Sequence, residues 1–227
     1  MKLDRITGWL DRTLKVADFD DVSNNGLQIG RDGGRGMRDE VKCVAFAVDA
    51  SMRAVKAAAK AGAQLLVVHH GISWGGGIRR LEGGVYNVVK AAMDADLALY
   101  ACHLPLDAHP VLGNNAQLAK LLGLTNVKPA FTYHGNVIGL TGRKSRLTVG
   151  ICSGGAGEFA EEAKRLGCDV YVTGEASWGD VIAAENCGMK MICAGHYETE
   201  VFGVRAVSRA MAKALKVKTV DLTEELK

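Results

Sequence analysis

No stretch of the 227-residue chain is long and apolar enough to span a bilayer; the strongest runs, 65–68 (LLVV) and 44–48 (VAFAV), are strand-sized. Charge of one sign is missing too. Against 28 Lys and Arg stand 25 Asp and Glu, a net +3, and no basic run interleaves with aromatics, so nucleic acid is not indicated as a partner. The six cysteines show no CxxC spacing, and those in VKCVAFAV and MKMICAG lie within apolar runs. They read as small buried hydrophobes in a reducing compartment rather than as a disulfide framework. The N-terminus lacks the apolar block and small-residue cleavage site of a signal peptide. It carries instead Leu3, Ile6, Leu10 and Leu14, the spacing of an amphipathic helix. These absences predict a cytoplasmic globular protein. With 48% apolar residues it has enough material for one large domain or two small ones.

What the chain does have is a repeat. Residues 44–70 (VAFAVDASMRAVKAAAKAGAQLLVVHH) and 149–175 (VGICSGGAGEFAEEAKRLGCDVYVTGE) share the order strand, helix, Gly, strand, at an offset of 105 residues (149 against 44). The first helix is predicted from about Ser51 to Ala61. Both copies then reach a Ser-Trp pair, Ser73-Trp74 and Ser177-Trp178. A second match joins 88–107 (VVKAAMDADLALYACHLPLD) to 181–200 (VIAAENCGMKMICAGHYETE), at an offset of 93 (181 against 88). It sets His103 and Asp107 against His196 and Glu200. Two matches in one order predict an α/β fold of two similar halves related by internal duplication, with the metal site in the cleft between them. The pattern lapses over 124–146, which places the boundary there and gives halves 1–127 and 128–227.

Chemistry in α/β sheets collects beyond the carboxyl ends of strands. Three predicted strand ends deliver His69 and His70, then His103 and Asp107, then His196 and Glu200. Each has a plain alternative. Adjacent histidines can be a hydrogen-bonded pair, and neighbours on an extended strand face opposite ways, so a shared site requires a turn, which Gly71 allows. Glu200 follows Thr199, which reads as a helix N-cap, and a Glu suits that first turn. Asp107 suits a loop before a helix capped near Asn114. Taken together, imidazole and carboxylate without thiolate suit iron, zinc, manganese or nickel. Even three of these four His with the two carboxylates are too many for one structural zinc and suit an open site for two divalent ions.

The segments DVSNNGLQIG (21–30), VVHHGISW (67–74), HLPLDAHPVLGNNAQLAKLLGL (103–124), TGE (173–175) and AGHYETE (194–200) resemble, in order and over nearly the whole chain, the Nif-three-like family. Its members are also called GTP cyclohydrolase 1 type 2 homologues or dinuclear metal-centre hexameric proteins. The resemblance implies a two-domain α/β protomer, a toroidal homohexamer, and a two-metal centre facing the central cavity. Its ligands fall on His69, His70, Asp107, His196 and Glu200. Many relatives carry Pro where this chain has Gly71, which removes no ligand.

His103 and Glu175 are the candidate catalytic residues. Pro105 argues against a regular helix between His103 and Asp107, so His103 reads as a group that orients a ligand or moves a proton, or as a structural residue. Glu175, the repeat equivalent of His70, is placed to orient a ligand or water. Asn25-Gly26 predicts a turn, and SGGAG (153–157) a structural turn without the GxGxxG spacing. GRKS (142–145) lacks the earlier Gly of a phosphate-binding loop. The leading functional reading is a metal-dependent hydrolase, in specific form a GTP cyclohydrolase type 2-like enzyme attacking C8 of a nucleotide. The alternative is a metal-binding regulatory or interaction protein without turnover.

Overall fold

The computed structural model describes residues 1–30 and 40–227. Along the chain run α1 (Leu3–Leu14), β1 (Gly26–Ile29), β2 (Cys43–Asp49), α2 (Met52–Lys60), β3 (Leu65–His70), α3 (Gly83–Asp94) and β4 (Ala98–Ala101). There follow α4 (Leu104–Ala108), α5 (Asn114–Leu121), β5 (Thr125–Tyr133), β6 (Asn136–Lys144), β7 (Leu147–Cys152), α6 (Ala160–Arg165), β8 (Val170–Thr173), α7 (Trp178–Asn186), β9 (Lys190–Cys193), α8 (His196–Leu215) and β10 (Lys218–Asp221). The fold is α/β, and the described strands form two five-stranded sheets. None of the described helices is long and apolar enough to cross a membrane.

Two compact units emerge. Met1–Pro105 and Val204–Lys227 make the first, Leu106–Gly203 the second. The boundary expected at 127/128 lies inside β5, within the second unit. The chain enters the second unit in α4 and leaves it along α8, so the first unit is built from both ends of the sequence. A lapse in a repeat pattern cannot report such a return.

In the first unit the sheet order is β1-β4-β3-β2-β10, with β1 antiparallel to β4 and the other pairs parallel. Its central strands, β2, β3 and β4, are buried and largely apolar because both faces are covered. On one face α2 and α3 press Val55, Ala58, Val88 and Ala92 onto Ala47, Leu66, Val68, Leu99 and Ala101. Helix α1 buries Ile6, Leu10 and Leu14, as the spacing predicts. Tyr100 anchors this helix by donating its hydroxyl to Asp11 at 2.7 Å. Ser51 caps α2 by accepting from the Ala54 amide, as its place before the helix requires.

In the second unit the order is β5-β6-β7-β8-β9, antiparallel through β7 and parallel from β7 to β9. Leu118 and Ala119 of α5 pack on Val149 and Ile151. Phe131, Phe159 and Tyr171 form an aromatic cluster. Both units thus contain three parallel strands in chain order, β2-β3-β4 and β7-β8-β9, with a helix in each connection. The Ser-Trp pairs part company, however. Ser177 closes a capping box with Asp180 at the start of α7, whereas Ser73 lies in a loop nine residues before the last residue of the α3 cap, Glu82.

Candidate metal centre

In the first unit, donor groups gather at the carboxyl ends of β2, β3 and β4. Each of His69, His70 and His103 offers one ligand atom, and these lie within 4.8 Å of one another. The His69 and His70 rings are 4.6 Å apart between centroids, and His69 and His103 are 5.1 Å apart. Strand β3 runs through His70, so no turn at that residue is needed. Gly71 serves differently from the expectation. A Cβ there would meet the Gln28 side-chain amide and the Ala101 Cβ, so Gly71 leaves room for both.

Every one of these imidazoles has its Nδ1 engaged. His69 Nδ1 lies 2.9 Å from the Cys102 carbonyl, which can only accept, so the proton sits on Nδ1 and Nε2 carries the lone pair. His70 Nδ1 lies 2.9 Å from Asp49 Oδ1, its direct partner in the parallel register of β2 and β3. His103 Nδ1 lies 2.9 Å from Asp21 Oδ1. The buried Asp21 also accepts from the Ser23 and Leu104 amides and from the Asn25 side chain. Burial alone would raise the Asp21 pKa, but the His103 hydrogen bond and charge, with Ser23 and Asn25, hold it at about 2.

The Asn25 side-chain Oδ1 accepts from the His103 backbone amide, which makes Asn25 a brace for the site; the tight turn itself closes one step earlier, from the Asn25 backbone amide to Ser23 O. Pro105 does not prevent helix formation, as α4 begins at Leu104. In the first turn its missing N–H forfeits no hydrogen bond.

The second unit carries the carboxylates. Helix α8 begins at His196, so Thr199 is not the N-cap but a residue of the first turn, and the Thr199 amide donates to Gly195 O. Thr199 Oγ1 donates to the His196 carbonyl and accepts from the Gly154 amide. His196 and Glu200 therefore share a helix face, with Nε2 and Oε1 3.3 Å apart. Glu200 also offers an oxygen within 4.8 Å of one from Asp107. His196 Nδ1 lies 2.9 Å from Glu175 Oε1, repeating the pattern of the first unit. The Glu200 hydrogen bond, opposed by burial and aided by Glu175, raises the His196 pKa to about 9.

Asp107 is fixed rather than set in a loop. Its Oδ1 accepts from Asn114 Nδ2 at 2.8 Å and Ser153 Oγ at 3.0 Å. Asn114 is not a cap either; its side-chain Oδ1 accepts from the Gly203 amide of α8, and Gly113 holds the cap position of α5. The SGGAG turn supports the same groups, since Gly154 O accepts from the Gly174 and Glu175 amides.

The donor chemistry fits a metal. Four imidazoles have Nδ1 held by an oxygen, which fixes ring orientation and leaves Nε2 as the atom that could bind a metal. Two further carboxylates, Asp107 and Glu200, are buried, where charge demands an opposite partner. Of the sequence candidates, the first unit brings together His69, His70 and His103, and the second Asp107, His196, Glu200 and Glu175. Asp21, Asp49, Asn114 and Ser153 were missed. Asp49 carried a signal in its place at the end of a predicted strand, and Asp21 and Asn114 in lying within the family-like segments 21–30 and 103–124.

The chain matches the family profile described as Duf34/NIF3 (NGG1p interacting factor 3) over residues 1–146 and 133–225. It is 40% identical to the GTP cyclohydrolase 1 type 2 homolog of Deinococcus radiodurans, covering 90% of this chain and 86% of that one. It is 37% identical to the protein of the same name from Pyrococcus horikoshii, covering 97% of both. Among solved structures it resembles protein ybgI, described as of unknown function, with a TM-score of 0.89, 29% identity and 98% of each chain covered. It also resembles reduced HcgD from Methanocaldococcus jannaschii, with a TM-score of 0.84, 25% identity and the same coverage.

Proposed function

The chain belongs to the Duf34/NIF3 family, and from that premise we propose that it is a metal-dependent hydrolase acting on a small, nucleotide-like substrate. The observation that carries the reading is the shared state of its three imidazole ligands, His69, His70 and His196, each with Nδ1 tied to an oxygen. Such an outer partner fixes the ring and leaves Nε2 for a metal. In this reading His69, His70, Asp107, His196 and Glu200 hold a pair of divalent ions, of iron, zinc, manganese or nickel. The imidazoles would supply neutral donors, and Asp107 and Glu200 would supply the negative charge that offsets the ions. Bound there, such ions make water acidic enough to ionise near neutral pH and polarise the bond under attack.

The remaining work belongs to protein side chains. His103, held at Nδ1 by the Asp21 carboxylate, has Nε2 left to accept a proton from a water or substrate beside the cluster. Glu175 and Asp49 hold their histidines in one tautomer. The names of the relatives direct the choice of substrate to nucleotides, GTP first. The test is turnover by the metal-loaded chain against a panel of nucleotides, phosphoesters and amides, beside the Glu200→Gln variant. Turnover of a nucleotide, lost in the variant, is expected. Tight metal binding with no turnover of any panel member would favour a regulatory or interaction protein instead.

A homohexameric ring accompanies this proposal, since closed homo-oligomers are the usual outcome of self-association. Light scattering at micromolar concentration is expected to give a mass near six chains of 24.1 kDa. A mass near one chain would refute the ring and leave the ligand assignment untouched.

A further inference from the structure

We infer that Trp74 is a stacking platform for a flat nitrogen heterocycle, the ring of the substrate, beside the histidine cluster of the first unit. The inference rests on the nucleotide reading above and adds the element that recognises the base. The Trp74 ring centroid lies 5.1 Å from that of His103, nearly perpendicular at 74°, and 6.0 Å from that of His70. A ring lying on the indole is therefore delivered to the two imidazoles that the metal reading uses.

Three features set Trp74 apart from an incidental surface aromatic. First, it is fixed. Its indole N–H donates to the Gly71 carbonyl at 3.0 Å. The loop beneath is clamped by Gln28, whose Oε1 accepts from the Ile72 amide at 2.7 Å and whose Nε2 donates to Asn24 O. Asn24 reaches across to Ser73 through both its amide and its side chain, and the Gly75 amide donates to Val22 O. Second, 38% of Trp74 stays exposed despite this restraint, so a rigid apolar surface faces solvent at the edge of a polar cluster. Third, the indole N–H is consumed internally. Recognition must then go through the face of the ring, which selects for flat π-systems rather than for a hydrogen-bond pattern. Stacking of this kind tolerates different bases and contributes about 1–3 kcal/mol per base. A Cβ at Gly71 would meet the Gln28 side-chain amide, so this glycine leaves room for the clamp.

The experiment uses the metal-loaded full chain and two probes, guanosine 5′-monophosphate and ribose 5-phosphate, titrated by calorimetry into wild type, Trp74→Phe and Trp74→Leu. Wild type is expected to bind the guanosine probe, and Trp74→Leu to bind it roughly ten-fold or more weakly. Trp74→Phe, which keeps a ring, should fall between. Ribose 5-phosphate should bind all three alike, and metal content should not change. Equal guanosine affinity in wild type and Trp74→Leu would overturn the inference, as would a parallel loss of ribose 5-phosphate binding, which marks a structural role. So would absence of guanosine binding by wild type. GTP turnover, measured on the same samples, separates the two readings. Trp74-dependent binding without turnover leaves the platform standing and removes the hydrolase. Turnover that ignores Trp74→Leu does the reverse.

Discussion

Gly154 leaves the space that the Glu200 carboxylate occupies: a Cβ at this position would collide with Glu200 Oε1. The backbone there also has φ +69°, in the left-handed region. Gly154→Ala therefore carries two penalties. The strained backbone costs about 1–2 kcal/mol of stability, and the displaced carboxylate loses its approach to His196 and Asp107. Urea unfolding should show the first loss, and metal titration the second. A variant with unchanged metal affinity would mean that Glu200 is not a ligand.

Asp49→Ala and Glu175→Ala each free one imidazole while leaving all five proposed ligands in place. Metal affinity measured by chelator competition should fall about 10- to 100-fold in each variant. Asp49→Asn should fall less, since its side-chain oxygen still accepts from His70 Nδ1. Unaltered affinity in both alanine variants would show that the Nδ1 partners do not serve a metal.

The raised pKa of His196 gives a pH dependence of definite sign. In metal-free protein the proton-bound pair with Glu200 contributes stability that is full below 6.5 and is lost as pH rises through about 9. Metal binding must remove that proton. Affinity should therefore rise about ten-fold per pH unit up to about 9 and level off above it. Glu200→Gln removes the main cause of the shift, so its plateau should begin nearer 6.5. Isothermal titration between pH 6 and about 10 reads the slope; a flat profile in wild type would contradict the pairing.

Much of this was legible in the sequence because it is local. The helix at Ser51, the apolar face of α1 and the strand ends bearing His69, His70, His103 and His196 depend on residues a few places apart. The supporting groups were not legible because they act across long separations. Asp21 reaches His103 over 82 residues, Ser153 reaches Asp107 over 46, and Asn114 reaches Gly203 over 89. Local signals misled where tertiary contacts won. Thr199 has the chemistry of an N-cap, yet its hydroxyl serves the His196 carbonyl and the Gly154 amide, and the helix starts a turn earlier. Asn114 likewise forgoes capping to join Asp107 to α8.

In the proposed centre His69, His70, Asp107, His196 and Glu200 hold a pair of divalent ions. Elemental analysis after mild dialysis decides this, on wild type and on His70→Ala and Glu200→Ala, with circular dichroism to confirm folding. About two equivalents of iron, zinc, manganese or nickel are expected per wild-type chain, the number of ions that a site of this donor set holds. Both variants should remain folded and bind less. A wild-type chain with only trace metal after loading, or variants that retain the full complement, would contradict it.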